Sequence, residues 1–316
     1  MRSIQQLTAL LGLTLLAAAG PGPLAAQSEK SRTARGLVAL YDFQLESGPL
    51  VKDRSGVTPA LDLRIANPQV VHRTPGTLEV RGPTTISSEK PPVRLFHAIR
   101  QSGAITIEAW IRPARTDQEG PARIVSFSKS PNQRNFTLGQ EFDTFDFRLR
   151  TSSTSTNGIP SISTDDGSLA AKLTHVVSTR QRAGRMRIYI NGRQVVEKTN
   201  VGTMSNWDKS HQLLLANELG GNRPWLGTYR MVAIYSRDLA PQEVMQNFQA
   251  GPGAETMPAS GNLAAGARLF DQQVAGLLSN HCLECHDRAS QKGGLDLSRA
   301  SAALAGGESG KAILPG

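Results

Sequence analysis

The sequence predicts a mainly β protein, in which a two-sheet sandwich is followed by a small α-helical segment. Between about residues 36 and 236, short apolar runs alternate with turn residues such as Gly, Pro, Asn and Asp. No helical periodicity of twelve or more residues interrupts this region, and many short strands at fairly even spacing are typical of a sandwich. After about residue 262 the apolar residues instead follow the spacing of an amphipathic helix, which indicates a second unit.

The first residues have the pattern of an export signal. Arg2 precedes an apolar run at residues 7–19, which a Gly-Pro break at 20–23 ends before a small-residue cleavage site. The run is too short for a membrane span. We expect residues 1–26 to be a signal peptide and 27–35 a spacer, so that the mature chain is exported to the periplasm or cell envelope without a membrane span. Retention as an uncleaved anchor is the alternative.

The charge balance limits the possible partners. The chain has 35 Lys and Arg against 26 Asp and Glu, a formal net charge of +9, and no run of five basic residues. A nucleic-acid surface normally has a clustered basic patch or a known module, so no nucleic-acid partner is predicted. A basic solvated surface is the simplest interpretation, and acidic partners such as polyanionic glycans or acidic redox proteins are the other.

The β region begins with a strand at residues 37–43. In residues 104–112 one face carries Ile105, Ile107, Ala109 and Ile111, and the other carries Thr106, Glu108, Trp110 and Arg112. Asn191-Gly192 suits the positive φ angles of a type I′ turn and predicts a hairpin of 185–190 with 193–196. Further strands are predicted at 145–150, 174–180 and 227–235.

Several short motifs follow one another along this region. They are Leu40-Tyr41-Asp42-Phe43, Val51-Lys52-Asp53-Arg54-Ser55-Gly56, Ile105-Thr106-Ile107-Glu108-Ala109-Trp110-Ile111-Arg112-Pro113, Ile188-Tyr189-Ile190-Asn191-Gly192, Gly227-Thr228-Tyr229-Arg230-Met231-Val232-Ala233-Ile234-Tyr235 and Leu239-Ala240-Pro241-Gln242-Glu243-Val244. The ordered set resembles the landmarks of laminin-G-like, concanavalin-A-like jelly-roll domains across residues 36–250. The resemblance implies a jelly roll of two curved antiparallel sheets. It also implies glycan or protein binding, often with a calcium ion at the rim.

Calcium prefers several hard oxygen ligands from carboxylates and carbonyls. Asp53, beside a Ser-Gly turn, and Asn217 and Glu218, before a Gly-Gly turn, are the candidates for such a site. The alternative is that Asp53 makes an Asx-type turn and Glu218 is a solvated loop charge. Exposed Trp207 and Trp225 would suit stacking on a sugar, although a tryptophan near a strand is more often packed.

No catalytic residues are predicted. A glycosidase needs two carboxylates at a set separation, and the sequence offers no such pair. The β region ends with a short helix, in which Pro241 takes the first helical position and residues 242–248 follow. Gly and Pro breakers then predict a linker at 251–262.

Both cysteines of the chain lie in one short stretch, His281-Cys282-Leu283-Glu284-Cys285-His286. The pattern Cys-x-x-Cys-His is the attachment signature of c-type haem. The two thiols bind the porphyrin vinyl groups, and His286 is then placed as the proximal axial ligand of the iron. A structural zinc site, a redox dithiol and a plain disulfide are the alternatives.

The end of the chain carries further motifs in order. Residues 277–286 are followed by Gln291-Lys292-Gly293-Gly294-Leu295-Asp296-Leu297 and by a Gly-rich stretch at 306–316. Together they resemble the planctomycete-type cytochrome c domain, which implies haem c held by Cys282, Cys285 and His286 within residues 263–316. Only 30 residues follow His286 and none is Met or His. We therefore expect an incomplete domain, a five-coordinate iron or a pocket closed by a partner, because Met257 is a poor distal candidate.

These features predict an exported haem protein that transfers electrons to or from a redox partner protein. Its jelly roll would bind a carbohydrate or a protein. The alternative function is a glycan- or protein-binding module that carries no working haem. We do not predict a hydrolase.

Overall fold

The computed structural model describes residues 31–44, 47–252, 274–288 and 290–312. The predicted signal peptide, the start of the spacer, most of the linker and the first residues of the predicted C-terminal helix lie outside the described residues. Two antiparallel sheets of eight strands each pack face to face, which confirms the predicted mainly β jelly-roll-like sandwich. None of the described helices is long and apolar enough to cross a membrane.

The described elements are sixteen strands, five α-helices and two 3₁₀ turns. The strands are β1 (Leu37–Tyr41), β2 (Leu50–Val51), β3 (Leu63–Ile65), β4 (Val71–Thr74), β5 (Thr77–Val80), β6 (Ile86–Ser88), β7 (Ile105–Pro113), β8 (Ala122–Ser130), β9 (Gln133–Glu141), β10 (Thr144–Leu149), β11 (Ile162–Ser163), β12 (Thr174–Arg180), β13 (Arg185–Ile190), β14 (Arg193–Thr199), β15 (Gln212–Leu215) and β16 (Gly227–Tyr235). The helices are α1 (Val93–Ser102), α2 (Pro241–Ala250), α3 (Ala275–His281), α4 (Leu283–His286) and α5 (Ala300–Ala305), and the 3₁₀ turns are Pro68–Val70 and Lys292–Gly294.

The strand order places β7 and β16 at the centre of one sheet. Sheet A runs β14-β13-β12-β7-β16-β5-β4, and β1 also pairs with β16. Sheet B runs β11-β10-β9-β8-β15-β6-β3-β2. Strands that are distant in sequence are therefore neighbours in both sheets, and the first and last strands of the sandwich, β1 and β16, lie side by side.

The main core lies between the two sheets. The face of β7 that was predicted to carry Ile105, Ile107, Ala109 and Ile111 is fully buried there. Large aromatic side chains of sheet B, such as Phe127, Phe136 and Phe147, occupy the same cluster. Alternation with a period of two residues thus assigns the buried face of this strand correctly.

The predicted hairpin is also confirmed. Ile190 pairs with Arg193, so that Asn191 and Gly192 form a two-residue loop between β13 and β14. Both loop residues have positive φ, at 50° and 78°. A type I′ turn requires this conformation at both positions, which Asn and Gly adopt more readily than other residues.

Helix α1 was not predicted from the sequence. It buries Leu95, Phe96 and Ile99 and ends at Gly103, which has a φ of 67° and donates its N–H to the carbonyl of Ile99 at 2.9 Å. With ten residues, the helix is shorter than the twelve-residue window over which helical periodicity is recognisable. A left-handed glycine after the last turn is a common helix end.

The outer face of sheet A is partly covered, because helix α2 packs on it. Trp110, on the face of β7 opposite Ile107 and Ala109, is 7% exposed and stacks on Phe248 with ring centroids 5.7 Å apart. Val177, Tyr189 and Val244 belong to the same second apolar cluster. The outward face of the central strands is therefore a second buried layer near this end of the sheet.

A buried carboxylate joins four parts of the fold. Glu108 on β7 is fully buried, and its Oε1 lies 2.8 Å from Nε2 of His175 on β12. The guanidinium of Arg32, in the segment before β1, also donates to Oε1. The Oε2 atom accepts hydrogen bonds from Asn247 in α2 at 2.8 Å and from the hydroxyl of Tyr235 at 3.3 Å. The amino-terminal segment and α2 are thereby attached to the same point of sheet A.

Replacement of Glu108 by Gln removes the buried negative charge and leaves Arg32 without a carboxylate. We expect the free energy of unfolding to fall by about 3–5 kcal/mol, as measured by urea denaturation. The control variant Glu89→Gln changes an exposed carboxylate that pairs with the exposed Arg64. It should have little effect, since surface ion pairs contribute little. Equal small losses in both variants would contradict the role assigned to Glu108.

The same charge predicts how stability depends on pH. Burial opposes ionisation of Glu108, but the hydrogen bond from His175 and the charge of Arg32 outweigh it and lower the pKa from 4.5 to about 2. A carboxyl with a lowered pKa stabilises the fold above its unfolded pKa, and this contribution is lost as the pH falls through the folded pKa. The stability difference between wild type and Glu108→Gln should therefore shrink between about pH 4.5 and pH 2 in acid titrations. A stability difference that stays constant over this range would show that the pKa of Glu108 is not lowered in the folded protein.

Candidate functional site

The Cys-x-x-Cys-His motif lies on a helical turn. Helix α3 leads into Cys282, and α4 follows directly. The carbonyl of Cys282 accepts hydrogen bonds from the backbone N–H of Cys285 at 3.2 Å and of His286 at 2.9 Å. Residues three and four apart on a helix are neighbours on its surface. The turn therefore brings both thiols and the imidazole to one side of the chain.

Neither thiol of the motif is in a disulfide, and one ring nitrogen of its histidine has no partner among the described residues. Cys282 and Cys285 are unbridged thiols, and both residues are half-buried. His286 is also half-buried, and its Nδ1 atom is buried without a hydrogen-bond partner among the described residues. On α3, which precedes the motif, Leu277 is 60% exposed although it belongs to the apolar face predicted for this helix.

The residues after the motif fold back onto it. The backbone N–H of Leu297 donates to the carbonyl of His286 at 2.8 Å, and Nζ of Lys292 lies 3.4 Å from Sγ of Cys285. The two glycine motifs also touch, because the N–H of Glu308 donates to the carbonyl of Gly293 at 2.8 Å. A side chain at Gly307 would lie 2.6 Å from that same carbonyl, so the contact requires glycine. The motifs that were recognised separately in the sequence thus form one small unit.

The surroundings of the motif bear on the alternatives to haem attachment. In the part of the chain that the structure describes, no three His, Cys, Asp or Glu side chains are grouped so as to hold a metal ion, as a structural zinc site would require. A thioredoxin-type dithiol follows a strand, whereas this one follows helix α3. His281, which adjoins Cys282, is exposed, and the poor distal candidate Met257 lies outside the described residues.

The candidate calcium ligand Asp53 follows β2 at the edge of sheet B, and its side chain is buried. Its Oδ1 accepts hydrogen bonds from the N–H groups of Leu40 at 3.1 Å and Ser55 at 2.9 Å, the second of which closes the Asx-type turn weighed as its alternative. Its Oδ2 accepts the N–H of Leu61 at 3.0 Å and lies 3.1 Å from the guanidinium of Arg94. Both oxygens are therefore already occupied by donors of the chain itself.

The candidates Asn217 and Glu218 are buried as well. Oδ1 of Asn217 accepts the backbone N–H groups of Glu218 at 2.8 Å and Arg223 at 2.9 Å, which orders the Gly-Gly loop. Glu218 forms a fully buried ion pair with Arg123 at 3.2 Å and accepts the hydroxyl of Ser128 at 2.7 Å. Glu218 is thus not the solvated loop charge of the alternative interpretation. Its partners are 90 and 95 residues away in sequence, so no local signal reveals them.

The suggestion that Trp207 and Trp225 are exposed for sugar stacking is wrong. Trp225 is fully buried, with its indole N–H donated to Gln140 at 3.0 Å, and Trp207 is 5% exposed and donates to the carbonyl of Arg150 at 2.7 Å. Buried tryptophans usually find such a hydrogen-bond partner. Both tryptophans are therefore packed in the interior, as in the alternative interpretation.

Comparison with known families agrees with this architecture. A model of the concanavalin A-like lectin/glucanase superfamily, of laminin G type, matches residues 88–245, which are 158 of the 316 residues. The chain belongs to the concanavalin A-like lectin/glucanase superfamily. Its match within this superfamily lies inside the sandwich and includes β7, β12 and most of the other strands of both sheets.

A second family model matches the end of the chain. The Planctomycete cytochrome C model covers residues 282–316 and so begins at the first cysteine of the motif. A cytochrome-c-like segment therefore follows the lectin/glucanase-type sandwich. The matched residues include the Lys-Gly-Gly step and the Gly-rich turn that touch each other in the structure.

Solved structures resemble the sandwich in fold. A Trypanosoma rangeli sialidase in complex with sialic acid has 18% identity and a TM-score of 0.52, over 70% of this chain and 34% of the sialidase. The binding domain of botulinum neurotoxin serotype D/C has 16% identity and a TM-score of 0.50, over 69% of this chain and 52% of that chain. The chain thus spans about half or less of these proteins, and the likeness shows the fold alone. No curated protein sequence matches the chain.

Calcium at Asp53, Asn217 and Glu218 stays a prediction, and the contacts above argue against it. A calcium ion would have to displace Arg94 from Asp53 and Arg123 from Glu218. We expect the melting temperature of the protein to be the same in calcium and in EDTA, as measured by differential scanning calorimetry. A rise specific to calcium and absent with magnesium would establish the calcium site instead.

Proposed function

We propose that this protein is an exported c-type haem protein that transfers electrons. In this proposal residues 36–250 form a jelly roll that binds a carbohydrate or a protein, 251–262 form a linker, and 263–316 carry haem c. The observation that supports it most is the helical turn on which Cys282, Cys285 and His286 lie together, with both thiols free. The match of the Planctomycete cytochrome C model to the same turn supports it independently.

The residues of the turn suit a haem group. Two thiols one helical turn apart match the two vinyl groups on neighbouring edges of a porphyrin, and neither thiol is engaged in a disulfide. His286 has an imidazole nitrogen without a partner among the described residues. Leu277, an exposed apolar side chain on the preceding helix, suits contact with an apolar ring.

The roles of the side chains follow from their chemistry. Cys282 and Cys285 would hold the group, each through a thioether made when a thiol adds across one vinyl double bond and its hydrogen passes to the other vinyl carbon. No oxidant or reductant is consumed in this addition. His286 would hold the iron through its imidazole, and the identity and surroundings of such a ligand tune the reduction potential. When bound, haem supplies a one-electron iron couple, and the chain determines its position and exposure.

The role of the jelly roll in this proposal is to hold the haem segment near a ligand or partner outside the cytoplasm. The sandwich matches the model of the concanavalin A-like lectin/glucanase superfamily. A carbohydrate is therefore the first class of ligand to test, and a redox partner protein is the second component that the proposal requires. Export is supported by the signal-like residues 1–26.

The proposal predicts that the colour of the protein is covalently bound. Protein purified from a strain that matures c-type cytochromes should keep its Soret absorption after denaturation and acid-acetone extraction. The variant Cys282→Ser with Cys285→Ser should lose all of it, because no thioether bond can form. The control Ser279→Ala, an exposed residue on α3, should behave as wild type.

Two outcomes would overturn the proposal. Colour that stays with the double cysteine variant would place the attachment elsewhere. A wild-type protein without any Soret absorption, made beside a properly matured control cytochrome, would favour a glycan- or protein-binding module with no working haem.

A further inference from the structure

The outer face of sheet A has an open groove at the end that α2 does not cover. The groove consists of two adjoining cavities of about 390 and 290 Å³, which share Glu79, Arg112 and Thr228. Volumes of about 300–1,000 Å³ are typical of small-ligand sites. On β7, Trp110 lies under Phe248 of α2, and Arg112, two residues further on the same face, lies in the groove.

The register of three strands builds the floor and walls of this groove. Thr228 on β16 is opposite Glu79 on β5 and opposite Arg112 on β7. Their neighbours Tyr229, Leu78 and Ile111 are buried in the core, so these three side chains point outward by alternation. A short hydroxyl side chain thus lies between two long charged ones, and the row forms a trough across the sheet.

The charges of the groove favour an anion. Glu79 is paired with Arg81 at 2.6 Å, which balances its charge. Arg112 is exposed and has no carboxylate or other hydrogen-bond partner among the described residues. Arg230 also lines the groove. An arginine that is not already paired is well suited to bind a carboxylate or sulfate through two parallel hydrogen bonds.

The rest of the lining suits a sugar ring. Thr228 and Glu79 offer a hydroxyl and carboxylate oxygens to the hydroxyl groups of a saccharide, and Leu173 and Leu226 offer apolar surface. The cavities are too small for the extended contact that a folded protein partner makes, which buries about 800 Å² on each side. A short stretch of a carbohydrate chain therefore fits better than an acidic protein.

We propose that this groove binds an anionic carbohydrate, carrying carboxylate or sulfate groups, with the anionic group at Arg112 and the sugar ring over Thr228. The inference rests on the proposed binding role of the jelly roll, and it names the surface and the class of ligand. It is independent of haem attachment, since all of its residues lie on β5, β7, β12, β16 and the turns beside them.

The test measures binding of the full-length protein to polygalacturonate, dextran sulfate and neutral dextran by affinity electrophoresis at low salt. We expect binding to one or both of the acidic polymers and none to dextran. Arg112→Glu should weaken this binding at least about tenfold by charge repulsion, and Thr228→Tyr should do so by filling the floor without a charge change. Lys198→Glu, on the edge strand β14, is the matched charge control and should bind as wild type. Circular dichroism and melting temperatures verify that each variant is folded.

Each result has a definite meaning. Equal weakening by Arg112→Glu and Lys198→Glu would show diffuse charge attraction and would overturn binding in the groove. Unchanged binding by folded Arg112→Glu and Thr228→Tyr would overturn it as well. Tighter binding to polyglutamate than to either polysaccharide would overturn the carbohydrate class. A wild type that binds an unrelated neutral glycan but neither acidic polymer would overturn this inference and leave the proposed binding role intact. Absence of binding to any glycan or protein tested would overturn the binding role itself.

Discussion

The buried carboxylate of Glu108 attaches helix α2 and the segment before β1 to sheet A. A charge without water is stable only when it is paired and hydrogen-bonded, and Glu108 takes its partners from β12, β16, α2 and the segment before β1. The same Arg32 that pairs with Glu108 also donates to the carbonyl of Gly251 at 2.5 Å, directly after α2. The chain therefore leaves the jelly roll from a point that is fixed to its central strand.

Helix α2 covers only part of the outer face of sheet A and so divides this face into two parts. Under α2 the outward side chains are aromatic and buried, as with Trp110 and Tyr235. Two residues along the same strand, the outward side chain is the exposed Arg112. One strand thus contributes to the inner core, to the second apolar layer and to the open groove. The groove exists because the ten-residue α2 does not cover the full width of the sheet.

The features that could be predicted from the sequence are those with local causes. Alternation in β7, the Asn191-Gly192 turn and the helical spacing of Cys282 and Cys285 each depend on neighbouring residues, and the structure has the expected conformation at all three. Burial of Glu218 depends on Arg123, 95 residues away, and burial of Trp225 depends on Gln140, 85 residues away. Such partners are brought together only by the sheet topology, and the charge of a loop residue alone does not indicate them.

The proposed electron-transfer function depends on one chemical event, the attachment of a porphyrin at residues 282–286. The intact mass of the protein, purified from cells that mature c-type cytochromes, tests this attachment most directly. We predict a mass increase equal to one haem, located by fragmentation on the peptide that contains Cys282 and Cys285. An unmodified polypeptide mass, or a haem adduct on another peptide, would contradict it.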